Sequence, residues 1–320
     1  MSHTAVIGAG AFGTSLAIAL SLNGAPVTLW CRDDETAETM RRGRKSPRRL
    51  PGHDLPKSLA ISGNLAEIEA DTLLIAVPMQ SLATFLAAAP DWSGRTLVAC
   101  CKGIDRQTGL GPVATLKAKA ENSNAALITG PSFATDIARG LPTALTLAAE
   151  TEARALSLQA TLSRPALRLY RTTDTVGAEL GGALKNVIAL AAGMAIGAGF
   201  GDSARAAVIA RGFAEMTRYA VAKGAHPETL QGLSGLGDLV LTCTSDKSRN
   251  FSAGVAFGRG DQPDMTSTIE GIATAEALAT EASAQNLNLP LTIAIHAVAT
   301  GKMAVEDAVG ALLSRPVKQE

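Results

Sequence analysis

Residues 8–13 read Gly8-Ala9-Gly10-Ala11-Phe12-Gly13, and this stretch decides how the fold of the chain is interpreted. It fits the pattern GxGxxG and stands between an apolar strand pattern at 4–7 and a helical pattern from residue 12. In that context the first glycine permits a tight turn, the second lets a pyrophosphate approach the backbone, and the third lets helix and strand pack closely. The helix N-terminus offers N–H groups and a partial positive charge to the phosphate. The motif predicts a dinucleotide-binding loop, and a glycine-rich turn without a ligand is the alternative.

Short β-branched runs alternate with helical patterns around and beyond this loop. Strands are predicted at residues 4–7, 26–30, 72–77, 96–100, 125–129, 143–148 and 167–170. These runs lack the alternation of apolar and polar residues and are separated by helices, which indicates a parallel sheet covered on both faces. We therefore predict an α/β fold with a Rossmann-type, doubly wound parallel sheet in residues 1–172.

Long helical patterns replace the strands from about residue 173 onward. They predict helices over 176–194, 205–223, 273–285 and 290–300, without a convincing strand. We therefore predict a second, all-α domain, residues 173–320, that carries the substrate and the catalytic group. A notable uncharged stretch, 187–201, is shorter than the about 18 apolar residues that a membrane-spanning helix needs, so no membrane span is expected.

Composition disfavours several other classes of protein. The chain has 29 Lys plus Arg and 29 Asp plus Glu, and only 3% of its residues are aromatic. Nucleic-acid binding is disfavoured, because it usually needs a basic excess or a base-stacking platform. The four cysteines lack CxxC and zinc spacing, so we expect no metal site, and free thiols fit a reducing compartment. The N-terminal residues show no signal-peptide pattern, so a cytoplasmic protein is expected.

The residues after the second predicted strand should select the ribose of the dinucleotide. Arg32 would pair with a 2′-phosphate, because a guanidinium fork matches phosphate geometry. Asp33 would suit a free 2′-hydroxyl, but it is equally an N-cap for the next helix. A basic run follows, made of Arg41, Arg42, Arg44, Lys45, Arg48 and Arg49. It is either a solvated loop or a flap near the 2′-phosphate, and Arg32 favours NADP over NAD.

Ligands of a doubly wound sheet bind beyond the carboxyl ends of its strands. Lys102 follows one predicted strand and would place a cation there, and Gly130 and Ser132 follow another. The alternatives are an ordinary surface position for Lys102 and N-capping of the next helix for Ser132.

The predicted all-α domain carries a lysine in unusual surroundings. Lys185 lies in the helical string GGALKNVIA, among apolar neighbours and after a small-residue face at Gly181 and Gly182. A partly desolvated lysine can exchange a proton near neutral pH, whereas a surface lysine covers apolar residues with its stem. Asp238 and the triplet Ser248-Arg249-Asn250 add a carboxylate, a guanidinium and an amide, groups suited to a phosphate and a hydroxyl.

Several strings in order give the chain a specific resemblance. They are GAGAFGTSLA from Gly8, CKGID from Cys101, TGPSFA from Thr129, GGALKNVIA from Gly181, RGFAEM from Arg211, GLGDLVLTCTSDKSRN from Gly235 and IEG from Ile269. On these motifs the chain resembles the bacterial-type NAD(P)-dependent glycerol-3-phosphate dehydrogenases over essentially its full length. The resemblance implies reversible reduction of dihydroxyacetone phosphate to sn-glycerol 3-phosphate, which feeds glycerophospholipid synthesis. It also implies a homodimer.

The resemblance further implies roles for individual residues. Proton transfer falls on Lys185. Substrate contacts fall on Lys102, Gly130, Ser132, Lys185, Asp238, Ser248, Arg249 and Asn250. Cofactor contacts fall on the three glycines Gly8, Gly10 and Gly13 and on Ala11, Phe12, Arg32, Lys102, Ala134, Arg249 and Glu270. Two positions depart from the family's frequent residues, since Ala11 stands where many members have Ser and Arg32 where many have His.

Two alternatives remain open from the sequence. One is a related β-hydroxyacid or ketopantoate-type reductase, which acts on a carboxylate instead of a phosphate. The other is a non-catalytic NADP sensor, which would keep the glycine loop but need no lysine in the cleft.

Overall fold

The computed structural model describes residues 3–22, 24–46, 48–120, 122–264 and 269–313, and these form two compact units. The first unit holds the described residues up to Lys102 together with Gly111–Glu179. The second holds Gly103–Leu110 and the described residues from Leu180 onward. The chain thus enters the second unit twice, first for a short excursion directly after Lys102. The domain limits predicted from the sequence, 1–172 and 173–320, stay a prediction.

An eight-stranded sheet organises the first unit. The strands of the chain are β1 (Thr4–Ile7), β2 (Val27–Trp30), β3 (Lys45–Ser46), β4 (Leu50–Asp54), β5 (Leu59–Ser62), β6 (Thr72–Ile75), β7 (Thr96–Ala99), β8 (Asn124–Thr129), β9 (Thr143–Ala149) and β10 (Leu167–Thr172). The sheet order is β10-β9-β8-β7-β6-β1-β2-β5, with β3 and β4 forming a separate hairpin. Strand order reverses beside β1, which is the switch point where doubly wound folds bind ligands.

The predicted Rossmann-type sheet is confirmed, with two differences. Every predicted strand is present, but β3, β4 and β5 were missed, because each carries at least one exposed residue and β3 has only two residues. The sheet is also not fully parallel, since β8 and β9 pair antiparallel while β9 and β10 run parallel to each other. A wholly apolar run indicates burial on both faces and carries no information on strand direction.

Helices cover both faces of the sheet. Those of the first unit are α1 (Ala11–Ser21), α2 (Asp34–Gly43), α3 (Met79–Ala87), α4 (Pro112–Lys119), α5 (Ala134–Ala138) and α6 (Glu152–Leu162). One core cluster joins one face of the strands, with Val6 and Leu29, to residues of α1, α2, α5 and α6. The other joins the opposite face, with Ala5 and Ile7, to α3 and α4. Neighbouring strand residues therefore point into different cores, as the alternation of a strand dictates.

In the described residues of the second unit, all the regular secondary structure is helical, as predicted. Its elements are the part of α7 (Thr175–Gly197) from Leu180, then α8 (Gly201–Ala222), α9 (Pro227–Gln231), a π-helical turn (Leu233–Gly237), α10 (Asp238–Cys243), α11 (Arg249–Gly258), α12 (Glu270–Gln285), α13 (Pro290–Ala299) and α14 (Val305–Leu313). Apolar residues of α7, from Ala183 to Met194, lie at the centre of its core.

Helix α7 contains most of the uncharged stretch at 187–201. It runs for 23 residues, and by length and composition alone it could cross a membrane. The helix predicted at 176–194 is therefore present and extends three residues further, to Gly197. Most of its apolar window, 89%, is buried inside the protein, which is typical of the central helix of a folded core.

Four glycines let α7 and α11 touch backbone to backbone. A Cβ on Gly193 would lie 2.9 Å from the Cα of Gly254, and one on Gly197 would lie 3.0 Å from the Cα of Gly258. Each would also collide with a carbonyl oxygen of the facing helix. Glycines four residues apart on both helices thus form a seam, and this seam places the first turn of α11 close to α7.

The seam gives a prediction about stability. Gly254→Ala should lower the free energy of unfolding by about 1–3 kcal/mol, because the new methyl group forces two packed backbones apart. The measurement is urea-induced unfolding followed by circular dichroism. The matched control is Gly310→Ala in α14, where a Cβ meets no atom within 4 Å. That variant should be neutral or stabilising by about 0.5–1 kcal/mol, because alanine favours helix. Equal midpoints for the two variants would contradict the seam.

Candidate active site

Two of the three loop glycines are required by packing. Gly8 has a φ of +119°, and a Cβ there would lie 2.7 Å from the carbonyl oxygen of Ala76 at the end of β6. A Cβ on Gly13 would collide with the carbonyl oxygen of Gly8. Strand β1 and helix α1 therefore meet as closely as the glycine motif predicts.

Gly10 differs, because a Cβ there would meet no atom within 4 Å. It is the N-cap of α1, and the first bond within the helix runs from the N–H of Thr14 to its carbonyl. The N–H groups of Ala11, Phe12 and Gly13 precede that bond and have no partner inside the helix. The first turn also has no acidic residue and no side-chain cap. These features fit the pyrophosphate of a dinucleotide, which needs N–H donors and a close approach to Gly10.

The residues after β2 are Arg32, which is exposed, and Asp33, which caps α2. The carboxylate of Asp33 accepts the N–H of Thr36 at 2.7 Å. This hydrogen bond holds the pKa of Asp33 below its usual value, with a smaller contribution from Arg32. The N-cap role of Asp33, one of the two sequence interpretations, is therefore confirmed.

Most of the basic run makes ordinary structural contacts. Arg41 and Arg42 form ion pairs with Glu38 at 3.1 and 3.3 Å, and Lys45 lies 3.9 Å from Asp54 across the β3–β4 hairpin. The guanidinium of Arg44 donates to the carbonyls of Leu55, Pro56 and Leu59, which ties the hairpin to β5. Arg48 and Arg49 are exposed between β3 and β4. The run is thus the end of α2 followed by a hairpin, rather than one loop.

Three predicted site residues meet at the carboxyl ends of β7 and β8. The ammonium of Lys102 donates to the carbonyl of Gly130 at 2.9 Å, and the hydroxyl of Ser132 donates to the same oxygen at 3.4 Å. Gly130 has a φ of +131°, which favours glycine. N-capping by Ser132 was wrong, because the N-cap of α5 is Phe133, without a side-chain hydrogen bond. Ala134 begins α5 and packs partly buried against the sheet.

Lys185 is buried in the second unit, with 7% of its surface exposed. Its Nζ donates to the hydroxyl of Thr242 at 2.7 Å and lies 3.2 Å from a carboxylate oxygen of Asp238. The Asp238 side chain is 2% exposed, and Thr242 donates in turn to the Asp238 carbonyl at 2.6 Å. The surface-lysine interpretation is therefore wrong. Lys185 is an ammonium held in the protein interior by a buried carboxylate and a hydroxyl, and we call these three side chains the lysine cluster.

Small residues bring the lysine cluster together. A Cβ on Gly181 would lie 2.8 Å from the carbonyl oxygen of Ser234, and one on Gly235 would collide with the carbonyl of Leu230. The π-helical turn Leu233–Gly237 therefore rests directly on α7, and α10 begins at Asp238 immediately after it. The predicted small-residue face thus receives another backbone. π-Helical turns are often found at functional sites, where they redirect side chains.

A second chain of hydrogen bonds starts from the next residue of α7. Asn186, 4% exposed, accepts a hydrogen bond from the side-chain amide of Asn250 at 2.9 Å. The amide oxygen of Asn250 accepts the N–H of Gly271 at 2.9 Å. A backbone N–H can only donate, so it fixes which end of the Asn250 amide faces Asn186. Gly271 follows Glu270, the first residue of α12, so three helices meet at this chain.

Ser248 and Arg249 occupy the start of α11. Ser248 is buried and caps the helix by accepting the N–H of Phe251 at 3.2 Å. Arg249 is the first helical residue, and it is exposed. In the second unit, the structure thus brings Lys185 to Asp238 and Asn250 to Glu270 through Gly271.

Sequence reasoning missed Thr242 and Asn186. Thr242 lies four residues after Asp238 on the same helix, a spacing that puts two side chains on one face. Asn186 directly follows Lys185 in a helix that is apolar on all sides, and a buried amide there needs partners. Among the described residues, no group of three or more His, Cys, Asp or Glu side chains is placed to hold a metal ion.

Two family models cover nearly the whole chain. One, NAD-dependent glycerol-3-phosphate dehydrogenase N-terminus, matches residues 3–155, and the corresponding C-terminus model matches residues 174–310. The chain belongs to the NAD-dependent glycerol-3-phosphate dehydrogenase family. A glycerol-3-phosphate dehydrogenase (NAD(P)+) of Ruegeria sp. is 55% identical over 318 residues, covering 99% of each chain. One of Jannaschia sp. is 56% identical over 315 residues, covering 98% of this chain and 99% of the relative.

Solved structures of the family share the fold. Glycerol-3-phosphate dehydrogenase from Coxiella burnetii superposes with a TM-score of 0.90 at 32% identity and covers 98% of this chain and 99% of its own. A 2-dehydropantoate 2-reductase from Bacillus subtilis, described as probable, gives a TM-score of 0.61 at 17% identity, with 94% and 100% covered. That second likeness shows the fold alone.

The lysine cluster of this family member gives a second prediction about stability. Asp238→Leu should cost about 3–5 kcal/mol of unfolding free energy, because it leaves the Lys185 ammonium buried without a carboxylate. Lys185→Met should also destabilise, and the double variant should recover most of the loss, because two apolar side chains replace both charges. Urea unfolding of the four proteins measures this cycle. Additive losses in the double variant would show that the two side chains do not depend on each other.

Proposed function

We propose that this protein catalyses the reversible NAD(P)H-dependent reduction of dihydroxyacetone phosphate to sn-glycerol 3-phosphate. The observation that carries the proposal is the lysine cluster, a buried ammonium beside a carboxylate and a hydroxyl. Such a group is suited to stabilise and protonate an oxygen on which negative charge develops. The names of relatives at 53–56% identity support the same reaction.

The first unit would hold the nucleotide. The N–H groups at the start of α1, with the open approach at Gly10, would bind the pyrophosphate, and Arg32 would lie near the adenosine ribose. A bound nicotinamide supplies the hydride of this reaction. Lys102 would contribute a cation at the carboxyl ends of the strands, with Gly130 and Ser132 beside it. Ala134 would line the same edge of the sheet.

The second unit would supply the proton. As the ketone carbon accepts hydride, charge grows on its oxygen, and the Lys185 ammonium stabilises that charge and donates a proton to it. A carboxylate oxygen of Asp238 lies 3.2 Å from the Lys185 Nζ and compensates for the lost hydration of the ammonium. Thr242 fixes the direction of one N–H bond of the ammonium.

The substrate phosphate would be held at the start of α11. Arg249 is exposed there, so its guanidinium can reach a phosphate, and Asn250 presents an amide whose orientation is fixed by Gly271. Ser248 would act mainly by capping this helix. Binding energy from a phosphate remote from the carbonyl is usable at the reacting carbon. Glu270 would complete the cofactor contacts.

A carboxylate-directed reductase is the second candidate, and it rests on the shared fold of the Bacillus subtilis reductase. Initial rates with dihydroxyacetone phosphate and with ketopantoate separate the two. Activity on the carboxylate substrate alone would overturn the proposal. A non-catalytic sensor is disfavoured, because a buried lysine with a buried carboxylate is costly and is typical of a functional site.

Cellular location, assembly and metabolic role are also proposed. The family resemblance supports a cytoplasmic homodimer whose product enters glycerophospholipid synthesis. Sedimentation equilibrium measures the oligomeric state, and a mass of one chain at micromolar concentration would refute the dimer.

Lys185→Met should lower kcat by about two to four orders of magnitude, because the proton donor is lost. The dissociation constant for NADPH, measured by fluorescence titration, should stay within about twofold, because Lys185 is not among the proposed cofactor contacts. The double variant Lys185→Met/Asp238→Leu separates chemistry from folding, since it should be stable and equally inactive. Near-normal turnover in either variant would remove Lys185 from the mechanism.

Arg32→Ala should weaken NADPH more than NADH, because only NADPH carries a 2′-phosphate for the guanidinium to pair with. Fluorescence titration with each cofactor measures the two dissociation constants. The matched control is Arg42→Ala, since Arg42 is exposed but already paired with Glu38. Equal losses for the two cofactors in Arg32→Ala would refute the proposed preference for NADP.

A further inference from the structure

The motif CKGID contributes Lys102 to the proposed site, but its last residue, Asp105, has no part in the function described so far. The main chain leaves the first unit directly after Lys102 and returns to it at Gly111. The residues between, Gly103–Leu110, belong to the second unit, and we call them the excursion loop.

Asp105 closes the excursion loop. It is 7% exposed, and its Oδ1 accepts the N–H of Gln107 at 3.1 Å, the N–H of Thr108 at 2.9 Å and the hydroxyl of Thr108 at 2.8 Å. Its own N–H donates to the carbonyl of Leu110 at 2.9 Å, and its carbonyl accepts the N–H of Gly109 at 2.9 Å. A single buried side chain thus satisfies the inner donors of the turn, which gives the loop one conformation.

Two contacts anchor the closed loop in the second unit. Ile104 is 4% exposed and belongs to the apolar core of that unit. Arg106 forms an ion pair with Glu276 of α12 at 3.1 Å. Helix α12 begins with Glu270 and Gly271, and Gly271 holds the amide of Asn250. The excursion loop is therefore attached to the helix that also orients a proposed substrate ligand.

Lys102 is constrained from both sides. Its ammonium is held by the carbonyl of Gly130 in the first unit, while the next two residues, Gly103 and Ile104, belong to the second. Gly103 has a φ of +133°, so the main chain turns sharply at once after Lys102. Only Gly103 separates Lys102 from Ile104. The conformation of the loop therefore limits the main-chain conformations that are open to Lys102.

We propose that Asp105 is a positioning residue for Lys102: by closing the excursion loop it fixes the main chain that carries the Lys102 ammonium to the substrate. This inference rests on the proposed role of Lys102 in substrate binding. Displacement of a binding group by about 1 Å can cost on the order of 100-fold in rate, so a loop that folds incorrectly is sufficient to impair the site.

The test compares substitutions of Asp105 in the full-length protein. Asp105→Ala removes the acceptor for three donors and should lower kcat/KM for dihydroxyacetone phosphate by about 10- to 100-fold, chiefly through KM. Asp105→Asn keeps an amide oxygen as acceptor and should stay within about threefold of wild type. The dissociation constant for NADPH should change by less than about threefold in both variants, because the nucleotide loop is untouched.

A double-mutant cycle with Lys102→Ala decides whether Asp105 acts through Lys102. If it does, adding Asp105→Ala to Lys102→Ala should lower kcat/KM by less than about twofold further, because the positioned group is already absent. A full 10- to 100-fold further loss would overturn the inference and leave the proposed reaction intact. Normal activity in Lys102→Ala would overturn both the inference and the substrate role of Lys102. Absence of dihydroxyacetone phosphate reduction by the wild type would overturn the proposed function itself.

Three further variants separate an effect on the site from a general loss of structure. Asp91→Ala removes a similar turn in the first unit, where Asp91 accepts the N–H of Ser93 at 2.9 Å and its hydroxyl at 2.6 Å, and it should leave kcat/KM unchanged. If Asp105→Ala does not fold, Thr108→Val and Thr108→Ser take its place. Only Thr108→Val loses the hydroxyl that donates to Asp105. This variant should therefore raise the KM for dihydroxyacetone phosphate, whereas Thr108→Ser should not. Equal KM values for the two Thr108 variants would then refute the role of the loop.

Discussion

A buried ammonium is stable in a folded protein only beside a partner that compensates for its lost hydration, and the second unit is arranged around this requirement. Lys185 lies on the most buried helix of that unit, and its carboxylate partner comes from α10, about fifty residues later in the chain. The π-helical turn can pack against α7 and place Asp238 beside Lys185 only because Gly181 and Gly235 have no side chains. The ion pair thus constrains not only Lys185 and Asp238 but also Gly181 and Gly235, which must stay without side chains for the pair to form.

The same principle, contact between backbones where side chains are absent, recurs at the other functional parts of the molecule. In the first unit, Gly8 and Gly13 let β1, α1 and the end of β6 meet. In the second, the glycine seam between α7 and α11 sets Asn250 against Asn186. A backbone contact has no rotamers, so it fixes the distance between two elements more rigidly than a contact through long side chains. Rigid placement is what a site needs when its donors must match a small substrate.

The sequence was informative where a residue type is required by local geometry. The glycine loop, the apolar strands and the unusual surroundings of Lys185 all follow from rules that act over a few residues. It was uninformative where the outcome depends on distant partners. An apolar run does not indicate whether β9 runs parallel or antiparallel to its neighbour. The N-cap of α5 is Phe133 rather than Ser132, whose hydroxyl donates to the carbonyl of Gly130. Thr242 and Asn186 acquire their roles only from residues more than fifty positions away.

The residues after β2 illustrate an ambiguity that composition leaves open. An arginine and an aspartate stand side by side there, and each alone suits a different ribose. Asp33 is already committed, because its carboxylate accepts the N–H of Thr36 and so completes the first turn of α2. The hydrogen bond holds the carboxylate of Asp33 against the first turn of α2, whereas the guanidinium of Arg32 is exposed and suited to pair with a phosphate. The adjacent negative charge of Asp33 still opposes a dianionic 2′-phosphate, so the benefit from Arg32 is reduced but not removed. On this balance we propose a preference for NADP with retained use of NAD, rather than exclusive selection of either cofactor.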